Sequence, residues 1–245
     1  MSPMLLALDI GNTTIAFGLF EGGELKKTGR VLDPEQLPFA SFSKVSRVVV
    51  ASVVPRLDPV VRSLIKRRLK IIPNFISYKD IRLKITLKNK AEIGVDRLVD
   101  AYAAYKFYGG PAIVVDFGTA TTFCAVDKDG RYLGGAIAPG IGIARDALHE
   151  KAAKLPQIKV TTAKRAIGKD TVSAMEAGIY IGYIGLINEL VARMKGELAG
   201  NGKKEHVKVV ATGGFAKLLS HGVKFDIIDE TLTLNGLNLV NQALA

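Results

Sequence analysis

The chain has 245 residues, 48% of them hydrophobic and 23% charged, with 25 glycines, a balance that excludes the fibrous and disordered classes. No stretch reaches the ~18 uncharged apolar residues that span a bilayer, and "MSPMLLALDI" lacks a basic leader and meets Asp9 too early for a secretory signal, so a cytoplasmic location without membrane contact is expected. Thirty-four Lys and Arg against 23 Asp and Glu leave +11, which favours a polyanion, whether nucleic acid or a polyphosphate ligand.

The pattern begins with a strand over 4–9, followed by two strand-like runs joined at "EGG" as a hairpin. After a loop carrying Pro34 and Pro38, "RVVVASVVP" reads as a buried strand that stops at Pro55, and "LDPVVRSLIKRRL" has helical spacing. The run "KRRLK" at 66–70 closes that helix, where cations complement the helix dipole. It has no interleaved aromatics, so a solvated helix end is expected there and not a nucleic-acid patch. "KIIPNFIS" predicts a further strand, 79–90 an irregular segment, and 94–107 a helix that stops at Gly109-Gly110.

The opening pattern then recurs, with "PAIVVDFGTATTFCAVDKDGRYLGGAI" giving strand, turn, strand and a hairpin at "KDG". Helices are predicted over 141–153, 171–198 and 234–244, and "HVKVVATGGFAKLL" reads as strand, glycine turn and helix. Alternating strands and helices of this kind indicate an α/β protein. Cys124, the sole cysteine, is expected in a buried strand, and His149, His206 and His221 show no metal-ligand spacing.

"ALDIGNTT" and "VDFGTATT" each place an Asp at a strand end, then a glycine and a cluster of hydroxyls, 107 positions apart. That separation is too long for a solenoid repeat and fits a duplicated domain. A glycine-containing turn lets backbone N–H groups approach an anion without an intervening Cβ. Thr13, Thr14, Thr119, Thr121 and Thr122 add hydroxyl donors. An Asp at the mouth of such a turn repels phosphate, so its useful role is to hold a cation that bridges to the phosphates. The plain alternative is that Asp and Gly only make tight hairpins. Gly213 and Gly214 in "ATGGFA" form a third bare turn, against which a base or ribose can lie. Neither a dinucleotide fingerprint nor a P-loop is present.

In this order the three elements are similar to those of the acetate and sugar kinase and actin superfamily. Within it the chain resembles the type III pantothenate kinases, the enzymes of the first step of coenzyme A biosynthesis. The resemblance is carried by "DIGNTTIAFG" (9–18), "SVVP" (52–55), "GVDR" (94–97), "DFGTATT" (116–122), "GGAIAPG" (134–140), "ATGGFA" (211–216) and "LTLNGL" (232–237), which together span nearly the whole chain.

It implies duplicated ribonuclease H-like (actin-like ATPase) domains, each a mixed sheet flanked by helices. Residues 1–110 would carry the first phosphate turn, and 111–245 the second turn, the adenosine segment and a dimer helix. It further implies ATP-dependent phosphorylation of pantothenate with Mg²⁺ and K⁺ or NH₄⁺. By the same resemblance Asp9, Ile10, Gly11, Asn12, Thr13, Thr14, Ile15, Ala16 and Thr119 would bind ATP, with Gly213 and Gly214 at the adenosine. Asp9 would help to hold Mg²⁺, and Asp116 the monovalent cation. Gly94, Val95, Asp96, Arg97 and Thr171 would bind substrate, with Asp96 as general base.

Read without the resemblance, Asp96 is a first-turn helix carboxylate and Thr171 a helix N-cap. The apolar breadth of 171–198 marks a candidate dimer surface, in line with the homodimers of the family. One departure is "LKNK" at 87–90, where the family often has Tyr-x-Asn-Pro; only Asn89 is kept. The alternatives are another small-molecule kinase of the superfamily and a non-catalytic regulatory or nucleic-acid-binding relative. The second would have no use for Asp9, Asp96 and Asp116 together.

Overall fold

A computed structural model describes residues 4–199 and 205–244. In chain order the elements are β1 (Met4–Ile10), β2 (Ile15–Glu21), β3 (Glu24–Val31), β4 (Val45–Ser52), α1 (Asp58–Leu69), β5 (Asn74–Phe75), β6 (Lys84–Ile85), α2 (Val95–Tyr108), β7 (Ala112–Phe117), β8 (Ala120–Val126), β9 (Arg131–Pro139), α3 (Ile141–Lys151), α4 (Thr171–Ala199), β10 (Lys208–Gly213), α5 (Ala216–Leu219), β11 (Ile227–Ile228) and α6 (Leu232–Leu244). They fall into two compact units. One runs up to Phe107 and takes in the segment from Thr231 onward; the other runs from Tyr108 to Glu230.

In the first unit the strand order is β3-β2-β1-β4-β5, with β1, β2 and β3 antiparallel and β4 and β5 parallel to β1. Because side chains alternate along a strand, Leu6, Leu8 and Ile10 point to one face, where they meet Val61 and Ile65 of α1 in the core. Helix α6 lies against β1, β2 and β4. Gly236 lets α6 approach α2 closely, since a methyl there would stand 2.6 Å from Val99 Cγ1. The sequence reading placed residues from 231 onward with the second half; their packing on the first sheet puts them in the first unit instead.

In the second unit the order β9-β8-β7-β10-β11 repeats the first sheet strand for strand, again antiparallel through the first three and parallel thereafter. Ile113, Val115 and Phe117 of β7 pack with Ile179, Tyr183, Ile187 and Val191 of α4. Both units are thus mixed sheets flanked by helices, as expected.

Two expectations change at shorter range. "KIIPNFIS" yields only the two-residue β5, because Lys70 takes a left-handed conformation (φ 61°) that caps α1 and Pro73 has no N–H to give a ladder. The glycine turn at 213–214 is followed by a single helical turn, α5, of four residues.

Candidate active site

The two Asp-x-Gly turns occupy the same place in their sheets. Asp9 is the penultimate residue of β1, paired with Ala16 on β2 and Ala51 on β4. Asp116 is the penultimate residue of β7, paired with Thr122 on β8 and Thr212 on β10. Each is half-buried between fully buried neighbours, so its carboxylate reaches the end of the sheet while the strand stays in the core.

In the first unit, the Gly11 N–H donates to Thr14 O (3.0 Å) and closes the turn, leaving Asn12 and Thr13 exposed. A methyl at Gly11 would sit 3.3 Å from that carbonyl, which makes a bare backbone the comfortable choice. Ile15 and Ala16 are buried in β2 and hold the turn from behind. The segment after β4 braces the same turn: the Val53 N–H donates to Ile10 O (3.1 Å), and Ser52 Oγ donates to Asp58 Oδ1 (2.5 Å) at the head of α1. This is the structural content of "SVVP".

Val53 also connects the turn to the "GVDR" segment, since a methyl at Gly94 would lie 3.6 Å from Val53 Cγ1. That methyl would collide with Asp96 Oδ1, so glycine is required where the carboxylate folds back over the helix start. Val95 is buried as the first residue of α2, and Asp96 and Arg97 are half-buried. The Arg97 N–H donates to Asp96 Oδ1 at 2.8 Å. Burial pushes the Asp96 carboxyl above its ordinary value, and the Arg97 N–H and guanidinium pull the other way without cancelling it. The result is a carboxylate with more than usual affinity for a proton. Asp100, four residues on and 3% exposed, is a buried acid on the same helix that sequence reasoning passed over. Helical spacing from Asp96 is the signal that marks it.

In the second unit, Asp116 is flanked by two glycines. A methyl at Gly118 would stand 3.4 Å from its Oδ2, and one at Gly213 2.5 Å from its Oδ1. Gly213 also has φ 85° and lies against the Phe117 backbone, so its conformation and its close approach both need glycine. Gly214 is exposed with open space on its Cα. Gly213 therefore builds the turn and Gly214 keeps its outer surface clear. The second turn is one residue tighter than the first, and half-buried Thr119 within it accepts the Gly140 N–H at its carbonyl (3.1 Å). "DFGTATT" and "GGAIAPG" are thereby joined.

Thr171 lies apart from these bonds, exposed at the first position of α4. It is not the N-cap: Asp170 Oδ1 accepts the Ser173 N–H (2.9 Å) and Ser173 Oγ accepts the Asp170 N–H (3.2 Å). The "LKNK" departure forms a small turn in which Asn89 Nδ2 donates to Glu92 Oε1 (2.9 Å).

A carboxylate with bare glycine backbone on two sides suits a cation that bridges to phosphate, and a hydroxyl-rich glycine turn suits the phosphates themselves. Among the described residues no group of three or more His, Cys, Asp or Glu could hold a metal by protein ligands alone. A cation at Asp9 or Asp116 would therefore complete its shell with backbone, water or phosphate oxygens.

The family model described as type III pantothenate kinase matches residues 5–193. The chain belongs to the type III pantothenate kinase family. The type III pantothenate kinase of Moorella thermoacetica is 45% identical over 254 residues, with 97% of this chain and 98% of that one covered.

Among solved structures, a conserved putative Baf family transcriptional activator from Campylobacter jejuni superimposes with a TM-score of 0.63 at 21% identity, covering 97% of both chains. MreB 5 of Spiroplasma citri bound to AMPPNP gives 0.54 at 11%, covering 100% of this chain and 97% of that one. These likenesses carry the fold alone, the duplicated ribonuclease H-like architecture of actin-like ATPases and sugar kinases. The match to the type III pantothenate kinase model takes in both Asp-x-Gly turns, "GVDR" and "GGAIAPG", and ends within α4; "ATGGFA" and α6 lie beyond it. No described helix is long and apolar enough to cross a membrane.

Proposed function

We propose that the protein transfers the γ-phosphoryl group of ATP to the terminal hydroxyl of pantothenate, giving 4'-phosphopantothenate and ADP, the entry step of coenzyme A biosynthesis. Membership of the family over essentially the full length of a curated relative supports the reaction. The single observation that carries the mechanism is the Asp96 carboxylate, held over Gly94 at the head of α2 with its proton affinity raised by burial.

Phosphoryl transfer needs positioning and charge neutralisation more than covalent help, together with one group that takes the proton of the attacking hydroxyl. In this reading Asp96 is that base. Its raised proton affinity narrows the gap to a hydroxyl that becomes acidic only as the new bond forms. Gly94, Val95 and Arg97 bind the acceptor, with helix-start N–H groups and a guanidinium suited to its carboxylate. Thr171 is a further acceptor contact. Residues 10–16 and Thr119 line the ATP phosphates, and Gly213 and Gly214 give the adenosine a surface without side chains. Asp9 would hold Mg²⁺, which would supply charge neutralisation at the ATP phosphates. Asp116 would hold K⁺ or NH₄⁺, which would supply positive charge beside the second phosphate turn.

The test is ADP release by purified protein given ATP, Mg²⁺, K⁺ and pantothenate, with turnover expected only when pantothenate is present. Turnover with a different alcohol alone would move the reading to another kinase of the superfamily. Asp96→Asn is expected to abolish turnover while ATP binding survives; undiminished rates in that variant would remove Asp96 as the base.

A further inference from the structure

The Tyr183 hydroxyl, on the buried side of α4, is hydrogen-bonded to Thr121 Oγ1 of β8 and donates to Pro139 O at the end of β9 (2.9 Å). A phenol has one proton. With that proton given to Pro139, the Thr121 hydroxyl must be the donor to Tyr183, which fixes the direction of the chain from Thr121 through Tyr183 to Pro139. The Ile141 backbone N–H also points at this oxygen and, with Thr121, partly offsets the upward push that burial gives the phenol. Thr121 is 0% exposed and Tyr183 6%, so water cannot replace these bonds cheaply.

The location gives the network its meaning. Thr121 pairs with Phe117 across the second phosphate turn, two residues after Thr119. Pro139, Gly140 and Ile141 form the bend that ends "GGAIAPG", and the Gly140 N–H is bonded to Thr119 O. One hydroxyl thus ties β8, β9, α3 and α4 together immediately behind the turn that contains Thr119.

We infer that Tyr183 is a positioning residue of the second phosphate turn, fixing the Gly118–Thr119 backbone against the Pro139–Ile141 bend so that the turn keeps one position for the nucleotide. The inference rests on the kinase reading for its functional consequence, and its structural part can be tested separately.

Equilibrium titration with a non-hydrolysable ATP analogue, Mg²⁺ and K⁺, without pantothenate, should show Tyr183→Phe binding about five- to tenfold more weakly than the parent. Thr121→Val should show a similar loss, the double variant little more than either single one, and Thr121→Ser near-parental affinity. Amide hydrogen exchange should quicken in peptides covering residues 117–122 and 139–142 of Tyr183→Phe and stay unchanged over 5–20. In turnover, KM for ATP should rise more than kcat falls.

Parental analogue affinity in Tyr183→Phe with only a lowered melting temperature would overturn the inference. Unchanged exchange at the two bends would overturn it whatever the affinity. Failure of the parent protein to phosphorylate pantothenate, with analogue binding and exchange behaving as above, would instead count against the substrate reading alone.

Discussion

Asp96 carries a conflict between stability and chemistry. Its folded-state proton affinity is raised by burial, so the ionised form is disfavoured on folding. The penalty is absent where the group is protonated in both states, grows as pH rises past the unfolded value, and is complete above the folded one. Asp96→Asn is therefore expected to melt at a higher temperature than the parent at neutral pH, with the gain shrinking as the solution is acidified; calorimetry across pH 4–8 checks the sign.

The two glycines of "ATGGFA" separate in a similar way. Gly213→Ala meets both a left-handed backbone and the Phe117 main chain, so a loss of at least about 2 kcal/mol is expected in denaturant unfolding. Gly214→Ala should leave stability within about 0.5 kcal/mol and weaken nucleotide binding. At this scale the sequence exposed the acids well, because an Asp closing an apolar strand before glycine is conspicuous. It hid Tyr183 and Asp100, because an aromatic or an acid within helical spacing looks like ordinary core or ordinary surface until its neighbours on other elements are known.

At the level of elements, periodicity located β1, the two hairpins, α1, α2 and α4 to within a residue or two, since each buries a regular face. It overextended "KIIPNFIS", where Pro73 and the left-handed Lys70 outweigh apolar content, and it missed β6 and β11, which are two residues each and leave no period to read. The closing helix was visible, yet its partner was not. Asn238 of α6, 8% exposed, donates from Nδ2 to Gly23 O in the β2–β3 turn (3.0 Å), a bond across 215 positions. Asn238→Ala should cost about 1 kcal/mol through the lost bond, with faster exchange in the 21–25 turn as the local signature.

For the molecule as a whole, the breadth of apolar residues on α4 has an internal explanation. Ile181, Ile184, Leu186, Leu190 and Met194 pack partly buried against the unit's own core. What α4 does leave open is a row of exposed glycines, Gly178, Gly182 and Gly185, with nothing within 4 Å of a would-be Cβ. A face of that kind permits close backbone approach, and we propose it as the contact of the homodimer that the resemblance leads one to expect. Gly182→Glu should shift the protein toward monomer in light scattering without lowering its melting temperature.

The cation role of Asp116 is tested at the same scale. Asp116→Ala should lose stimulation by K⁺ while residual turnover persists, and an undiminished K⁺ response would refute the assignment.

The return of α6 to the first sheet reverses the usual order of events on the ribosome. Residues 108–230 can leave the exit tunnel and close around their own core while β1, β2 and β4 still lack the helix that covers one of their faces. The portion synthesised earliest is thus completed last, and during that interval one face of its apolar strands stays uncovered.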